Sequence, residues 1–356
     1  AGQCGAIVNF STSATDNCST ATVVSTPGSG SLFTKGTTLV TSVATDASGN
    51  KTTKTFTVTV VAAEAPKITA PANIIANTAA GTCAAAVNFA ANATDNCPGV
   101  SVSYSKAPNS SFPKGTTVVT ATATDAAGLT ASTTFTVTVV DVQPPTITTG
   151  ASGATVACNA GTAGALSAWL ASNGGAVAAD ACGLVTWSNN FSGLNGSCGN
   201  TGAATVVFTA TDGSGNKATT TATFTVVDTT APTITTAASA LVLESSGAST
   251  AAAISAWLAS NGGAAATDSC STVTWSNNYT GLTDGCGATG TATVIFSATD
   301  ACGNYSKTQA TITVVDTTAP TLTAASDLTV QSDGAGNIAA LNTWLANHGG
   351  ATGTDI

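Results

Sequence analysis

Residues 116–140 read TTVVTATATDAAGLTASTTFTVTVV, and this stretch decides the fold. Apolar and polar residues alternate with a period of two on both sides of Ala126-Ala127-Gly128, which is the pattern of a β-hairpin. Residues 204–227 repeat it around Gly213-Ser214-Gly215-Asn216. Several such strands within about 80–90 residues, with proline at the junctions, predict an all-β fold of immunoglobulin-like β-sandwiches.

The hairpin is one part of a tandem repeat. Residues 4–46 recur as residues 83–125, 79 positions further on, and a second repeat type places Trp169 and Trp257 88 positions apart. Both ends of the sequence fall inside a repeat, so we expect the parent protein to be much longer. The sequence predicts sandwiches arranged end to end, in five repeats: partial repeat 1 (1–62), repeat 2 (63–142), repeat 3 (143–229), repeat 4 (230–317) and partial repeat 5 (318–356).

The later repeats carry a short helix. Gly164–Asn173 and Ala252–Asn261 place apolar residues at i, i+3 and i+4 and then end at Asn-Gly-Gly, as amphipathic helices do. The tryptophan of each helix, Trp169 or Trp257, is either a platform for a sugar or a core residue that seats the helix on the sandwich. The core interpretation is favoured.

Composition excludes several functions. With 8 Lys+Arg against 17 Asp+Glu and a net charge of -9, the chain is unsuited to nucleic acid or an anionic membrane. No apolar run reaches the length of about 20 residues that a membrane span requires, which argues against membrane insertion. The single histidine, His348, permits no Ser/His/Asp set, and aspartates repeated in every unit suit architecture better than one active site. The sequence therefore predicts a protein that is not an enzyme.

Two family resemblances follow from these motifs. Cys83-Ala-Ala-Ala-Val-Asn-Phe89, Phe112-Pro-Lys-Gly115 and Phe135-Thr-Val-Thr-Val139 closely resemble the HYR (hyalin) repeat, and the first 140 or so residues carry the series twice. The later repeats carry Ala168-Trp-Leu170, Gly174-Gly-Ala176, Val185-Thr-Trp-Ser-Asn-Asn190 and Ala210-Thr-Asp-x-x-Gly-Asn216. With these motifs they look like the repeats of very large Bacteroidota surface proteins, the SprB-type gliding-motility adhesins. This resemblance implies export by the type IX system to the cell surface, and a place in an extracellular filament used for attachment and gliding.

Three functions are compatible with these motifs. The leading expectation is a structural stalk, whose partners are neighbouring repeats of the same chain. A surface or polysaccharide target would then be bound through other parts of the parent protein. The second is a module that binds glycan, or even ice, through exposed loops or threonine rows. The third is an accessory domain of a secreted hydrolase.

Ten cysteines at repeating spacings predict disulfides and an oxidising, extracellular location, with reduced buried thiols as the alternative. The short spacings that recur from repeat to repeat predict four pairs within repeats: Cys4–Cys18, Cys83–Cys97, Cys182–Cys198 and Cys270–Cys286. In repeats of the resembling type the positions of Cys158 and Cys302 can both be cysteine and form a bridge. Here each repeat keeps only one of the two, so both thiols are expected to be free.

Three acidic residues recur in each repeat, one in the linker, one after the second element and one in the last hairpin. They are Glu64, Asp95 and Asp125 in repeat 2, Asp141, Asp180 and Asp212 in repeat 3, and Asp228, Asp268 and Asp300 in repeat 4. Loops of an immunoglobulin-like sandwich cluster at its ends, so each set would meet at a junction and offer oxygen ligands for structural Ca²⁺. For the hairpin aspartate alone, hydrogen bonding to its own turn is the preferred interpretation.

A modification site competes with calcium for the linkers. Asp228-Thr229-Thr230 and Asp316-Thr317-Thr318 resemble the Asp-Ser/Thr-x acceptor for O-glycosylation in Bacteroidota. The resemblance implies glycosylation at Thr229 and Thr317, which intact-mass analysis would reveal.

Overall fold

The computed structural model describes residues 3–283, 285, 287, 289–332, 334 and 336–355. It confirms a mostly β fold of tandem sandwiches with short helices in the later repeats. The chain divides into two compact units. Unit 1 comprises the chain up to Thr148 together with Ala178–Trp187 and Ala210–Ala218, and unit 2 comprises Thr149–Val177, Ser188–Thr209 and the chain from Thr219 onwards. The repeat numbers used below are those of the sequence.

The described residues of repeat 1, from residue 3 onwards, form five strands, which pair as a three-stranded sheet, β2-β4-β5, and a two-stranded sheet, β1-β3. The strands are β1 (Gly5–Val8), β2 (Thr22–Thr26), β3 (Ser31–Thr34), β4 (Gly36–Thr45) and β5 (Lys51–Val60).

Repeat 2 has eight strands. They are β6 (Lys67–Thr69), β7 (Ile74–Asn77), β8 (Ala84–Ala86), β9 (Asn92–Thr94), β10 (Ser101–Tyr104), β11 (Ser111–Pro113), β12 (Gly115–Thr124) and β13 (Thr130–Val140). The predicted hairpin is confirmed as β12 and β13, antiparallel from Gly115 opposite Val139 to Thr124 opposite Thr130. The leading strand β7 pairs in parallel with β13, which gives the sheet order β10-β12-β13-β7.

Repeats 3 to 5 follow the second pattern. Repeat 3 contains β14 (Thr146–Thr149), β15 (Ala154–Ala157), α1 (Thr162–Ala171), β16 (Val177–Ala179), β17 (Thr186–Asn189), β18 (Asn195–Gly196), β19 (Gly202–Thr211) and β20 (Lys217–Val227). Repeat 4 contains β21 (Thr233–Thr236), β22 (Leu241–Glu244), α2 (Ala248–Ala259), β23 (Ala265–Thr267), β24 (Thr274–Asn277), β25 (Gly290–Thr299) and β26 (Tyr305–Val315). Repeat 5 contains β27 (Thr321–Thr323), α3 (Ile338–Ala346) and β28 (Thr352–Thr354).

Each sandwich core is made by the inward-facing residues of its long hairpin. In repeat 2, Val119, Phe135 and Val137 are almost fully buried and pack with Phe112. Alternate residues of a strand face the same side, so the period-two pattern alone explains this burial. None of the helices in the described part of the chain is long and apolar enough to cross a membrane.

Candidate functional site at the repeat boundaries

Disulfides join consecutive repeats. Among the described residues, four disulfides each connect a cysteine of one repeat to a cysteine of the next: Cys4–Cys97, Cys83–Cys182, Cys158–Cys270 and Cys198–Cys302. The boundaries between repeats 1 and 2, 2 and 3, and 3 and 4 are therefore closed covalently, the last of them twice.

The predicted pairs within repeats are wrong. In repeat 2, Cys83 precedes β8 and is bonded to repeat 3, whereas Cys97 follows β9 and is bonded to repeat 1. The strands between the two cysteines carry the chain from one boundary to the other, so these thiols lie close in sequence but at opposite boundaries. In repeat 1, Cys4 is bonded to Cys97 of repeat 2 and therefore does not pair with Cys18.

The pairs predicted within the second repeat type are also wrong. Cys182 and Cys198 are bonded to repeats 2 and 4 rather than to each other. Cys158 and Cys302, expected to be free, are both bonded across the boundary of repeats 3 and 4.

Two cysteines, Cys18 and Cys286, are not part of these four disulfides. Cys286, the predicted partner of Cys270, lies outside the described residues, and Cys270 is bonded to Cys158. Cys18, predicted to pair with Cys4, is an exposed free thiol.

A carboxylate turn holds the cysteine on the C-terminal side of each boundary. An aspartate two positions earlier accepts the backbone N–H of the cysteine through Oδ1, as in Asp95–Cys97 (2.8 Å), Asp180–Cys182 (2.7 Å) and Asp268–Cys270 (2.8 Å). Such Asx turns fix the local backbone without a metal. Three of the predicted calcium ligands therefore position disulfides.

The hairpin aspartates hold their own turns. Asp212 is buried, and its Oδ1 accepts the backbone N–H groups of Ser214 (2.7 Å) and Asn216 (2.9 Å). The Asn216 side chain donates to Asp212 Oδ2 at 2.8 Å and to the backbone carbonyl of Asp141 in the linker at 3.2 Å. Asp300 and Asn304 make the corresponding contacts, reaching the carbonyl of Asp228. The turn interpretation fits these two aspartates.

Hydrogen bonding favours the charged form of the two hairpin aspartates. Burial of Asp212 and Asp300 disfavours their charged forms, but the donors of Asn216 and Asn304 and the turn N–H groups outweigh it. The pKa of each carboxyl is therefore lowered below its ordinary value, because the hydrogen bonds favour the charged form.

The linker acids differ from one boundary to the next. Asp141 is buried and both of its oxygens have partners: Oδ2 accepts from Ser214 at 3.0 Å and from Lys114 Nζ at 3.5 Å, and Oδ1 accepts the backbone N–H of Gln143 at 3.2 Å. Asp228 accepts the N–H of Thr230 through Oδ1, while its Oδ2 is buried without a hydrogen-bond partner. Glu64 accepts from the side chain of Asn96 at 3.0 Å.

Two of the three predicted carboxylates meet at two boundaries. Asp141 and Asp180, and likewise Asp228 and Asp268, each place an oxygen within 4.8 Å of the other and of a cysteine sulfur. The sulfurs, of Cys182 and Cys270, belong to disulfides, so they are not thiolate ligands. Asp212 and Asp300 are not in these groups, because their oxygens face their own turns.

These pairs differ in their suitability for a cation. The ammonium of Lys114 already contacts Asp141, whereas Asp228 Oδ2 is buried and has no partner. Carboxylate oxygens are the ligands that Ca²⁺ prefers. The boundary of repeats 3 and 4 is thus the better fit, with Asp228 and Asp268 as the residues that would hold the ion.

The set predicted in repeat 2 does not form such a group among the described residues. Asp95 Oδ2, Asn96 Oδ1 and Asp125 Oδ2 are buried without hydrogen-bond partners, and so is the ammonium nitrogen of Lys35. Leu129 stands at the position where repeat 3 has Asn216, so Asp125 lacks the amide donor that satisfies Asp212.

The helix tryptophan is a core residue. The indole of Trp169 is 9% exposed, packs against Phe208 and Phe224, and donates its N–H to the carbonyl of Ser152 at 2.9 Å. Trp257 makes the matching hydrogen bond to Ser239. The core interpretation is confirmed, and burial removes Trp169 as a platform for a sugar.

The threonines predicted to carry glycans lie in the linkers. Thr229 is exposed. Thr317 is exposed and donates its backbone N–H (2.6 Å) and its hydroxyl (3.0 Å) to the carboxylate of Glu244. Glycosylation of both threonines stays a prediction, and at Thr317 a glycan would compete with Glu244.

Several residues that make contacts at the repeat boundaries were not predicted from the sequence. Glu244 holds the linker that follows repeat 4, and Lys114 and Ser214 hold Asp141. A signal existed only for the asparagines: Gly-Asn recurs after the hairpin aspartate in both later repeats, at Asn216 and Asn304.

Similar solved structures are also chains of tandem domains. Drosophila N-cadherin EC1-4 matches 86% of this chain and 94% of that chain, with 12% identity and a TM-score of 0.25. Sidekick-1 immunoglobulin domains 1–5 match 88% of this chain and 78% of that chain, with 13% identity and a TM-score of 0.29.

Two proteins are similar to this chain in sequence at higher identity than these solved structures. Hyalin of Strongylocentrotus purpuratus is 40% identical over 142 residues, which are 38% of this chain and 12% of hyalin. Hyalin of Lytechinus variegatus is 42% identical over 144 residues, 38% of this chain and 27% of that protein. The chain thus spans about a quarter or less of these relatives. The HYR domain matches residues 1–60 and 61–139, so repeats 1 and 2 are similar to HYR domain repeats of hyalin.

Proposed function

We propose that this chain is a structural stalk segment of a very large secreted protein that forms an extracellular adhesion filament. The observation that carries the proposal is the placement of the disulfides. At each of the three boundaries, between repeats 1 and 2, 2 and 3, and 3 and 4, a disulfide joins the repeat before to the repeat after. A disulfide framework of this kind persists in an oxidising, extracellular compartment.

The proposed role is mechanical and not catalytic. The aspartates that recur in each repeat hold turns and disulfides, as with Asp180 and Asp212. Adhesion to a surface or a polysaccharide is assigned to other parts of the parent protein. We place the parent among the SprB-type gliding-motility adhesins of Bacteroidota, exported by the type IX system, on the strength of the later repeat motifs alone.

Structural Ca²⁺ belongs to this proposal at the boundary of repeats 3 and 4. Its support is the buried, unpartnered Oδ2 of Asp228 beside Asp268. The ion would neutralise two carboxylates that otherwise repel each other. It would thereby hold the linker of repeat 4 against the turn that carries Cys270.

Binding assays with the purified chain test the stalk role. The chain is titrated against a glycan array and assayed for ice adsorption after oxidative folding. A stalk segment is expected to show no saturable binding in either assay, because recognition resides elsewhere. Saturable binding of one glycan class, or adsorption to ice, would contradict the stalk role and favour the binding module.

A further inference from the structure

Two disulfides join repeats 3 and 4, and they differ in exposure. Cys158 and Cys270, which form the inner disulfide, are buried, with 6% and 1% of their surface exposed. Cys198 and Cys302, which form the outer disulfide, are half-buried. Exposed disulfides are the ones that thiols attack most readily, so a reductant in solution reaches the outer bond more easily than the inner one.

Residues 198–200 of repeat 3 lie on the turn that carries Cys270. The backbone N–H of Asn200 donates to the carbonyl of Cys270 at 3.0 Å. Gly199 has a left-handed backbone (φ +55°), and a Cβ placed there would lie 2.6 Å from the carbonyl oxygen of Cys270 and 2.7 Å from Cβ of Ser271. Such a close approach requires glycine, so this segment packs directly against the inner disulfide.

The last hairpin of repeat 4 contacts the same turn. The backbone N–H of Ala301 donates to Ser271 Oγ at 3.0 Å, and Cys302 is the next residue. The outer disulfide therefore joins two segments, one from each repeat, that both contact the turn of Cys270. It holds both segments against that turn.

The boundary of repeats 2 and 3 has the same turn without an outer disulfide. Cys182 is the counterpart of Cys270, 88 positions earlier, and Ser214 stands where repeat 4 has Cys302. Cys182 is half-buried, whereas Cys270 is 1% exposed. In this repeat type, the deeper burial of the turn cysteine thus accompanies the outer disulfide.

We propose that the outer disulfide is a redox-sensitive cover over the inner one, so that a dithiol reductant opens the two bonds in a fixed order. A thiolate of the reductant attacks one sulfur of the outer bond, and the other sulfur leaves as a thiolate that takes up a proton. The second thiol of the reductant then attacks the mixed disulfide. This yields two cysteine thiols and the disulfide form of the reductant, while the inner bond still joins repeats 3 and 4. The inference depends neither on the stalk role nor on calcium.

The order of reduction tests the proposal. Free thiols of the full chain are blocked with iodoacetamide, the native chain is treated with dithiothreitol, and new thiols are trapped over time with N-ethylmaleimide. Partly reduced chains are isolated and their labels located by mass spectrometry. Chains with the inner bond open and the outer bond intact should be at least about tenfold rarer than the reverse, because contacts of the cover must break before the inner sulfurs are exposed. Equal amounts would overturn the proposal.

Two double variants distinguish a cover from a simple difference in exposure. In Cys198→Ser/Cys302→Ser the inner disulfide should open without the lag that it shows in the parent chain. In Cys158→Ser/Cys270→Ser the outer disulfide should open at the parent rate. Equal effects of the two removals would contradict a cover that acts in one direction, and so would a lag that persists without the outer bond.

Two glycines give a matched pair of single variants. Gly199 and Gly175 both have a left-handed backbone (φ +55° and +80°), but a Cβ at Gly175 would meet no atom within 4 Å. Gly199→Ala should push the covering segment away from Cys270 and allow the inner bond to open while the outer one is intact. Gly175→Ala should keep the parent order. The parent order in Gly199→Ala would overturn the proposal.

Discussion

Cys83 of repeat 2 is bonded to Cys182 of repeat 3, and Asp180 fixes the turn that presents Cys182. The two cysteines are 99 residues apart, so the disulfide closes a loop larger than a repeat. A loop of this size constrains the unfolded chain strongly, by about 4–5 kcal/mol in the chain-entropy model. The bond therefore contributes to stability and also fixes which faces of the two repeats meet.

Removal of this bond should lower stability. The double variant Cys83→Ser/Cys182→Ser is expected to lose about 4–5 kcal/mol of unfolding free energy by the chain-entropy model, measured by urea denaturation under non-reducing conditions. Cys18→Ser is the control and should leave the free energy unchanged, since Cys18 is free and exposed.

The pairing itself is checked by non-reducing peptide mapping. Digestion should release Cys4 linked to Cys97 and Cys83 linked to Cys182. A peptide in which Cys83 is linked to Cys97 would contradict the interrepeat arrangement and restore pairing within repeats.

Calcium should stabilise the boundary of repeats 3 and 4. At about one hundred times the dissociation constant, a bound ion adds about 2.7 kcal/mol to the unfolding free energy. Calorimetric titration and thermal melts should show binding that is lost in Asp228→Asn/Asp268→Asn. Asp327→Asn, at an exposed position outside both carboxylate pairs, should bind as the parent does. Equal binding by all three chains would show that the ion lies elsewhere.

Acid should weaken the hairpin turns. The pKa values of Asp212 and Asp300 are lowered in the folded chain by the hydrogen bonds that outweigh burial. A lowered folded pKa contributes stability that is present above the unfolded value, about 3.9, and is lost as pH falls through the folded pKa.

Thermal melts between pH 2 and 7 test this dependence. The melting temperature should fall below about pH 4, and the fall should be shallower in Asp212→Asn/Asp300→Asn than in the parent. Parallel curves for the two chains would show that other groups govern the acid response.

The helix tryptophan should be costly to remove. Trp169→Ala is expected to lose about 3–5 kcal/mol because the indole packs between two phenylalanines. Trp169→Phe keeps much of that packing and loses the hydrogen bond to Ser152, so about 1–2 kcal/mol is expected by urea denaturation. Leu184→Ala, at a position 89% exposed, is the control.

The fold was predictable because its signal is local. The period-two pattern of residues 116–140 specifies β12 and β13 within one or two residues, and the i, i+3, i+4 pattern around Trp169 specifies α1. In both cases neighbours in sequence are neighbours in structure.

The disulfides were not predictable from spacing. The short spacing between Cys83 and Cys97 suits a small closed loop, but the two strands between them lead the chain to the opposite boundary. Spacing gives the length of the intervening chain and not its direction. The same limit applies to the acidic sets: Asp212 follows the other two residues in sequence, yet its oxygens are used by its own turn.

The disulfides also shorten the covalent path through the chain. From Cys4 the path crosses to Cys97, runs back along the chain to Cys83 and crosses to Cys182, then runs on to Cys198 and crosses to Cys302. The two short segments on this path, between Cys83 and Cys97 and between Cys182 and Cys198, contain about 30 residues in total and span roughly 100 Å when fully stretched. Without the disulfides, the roughly 300 residues from Cys4 to Cys302 would span about 1,000 Å. Under tension, therefore, most of the polypeptide lies in loops that carry no load. The three disulfides and the two short segments between them set the greatest distance that Cys4 and Cys302 can be pulled apart.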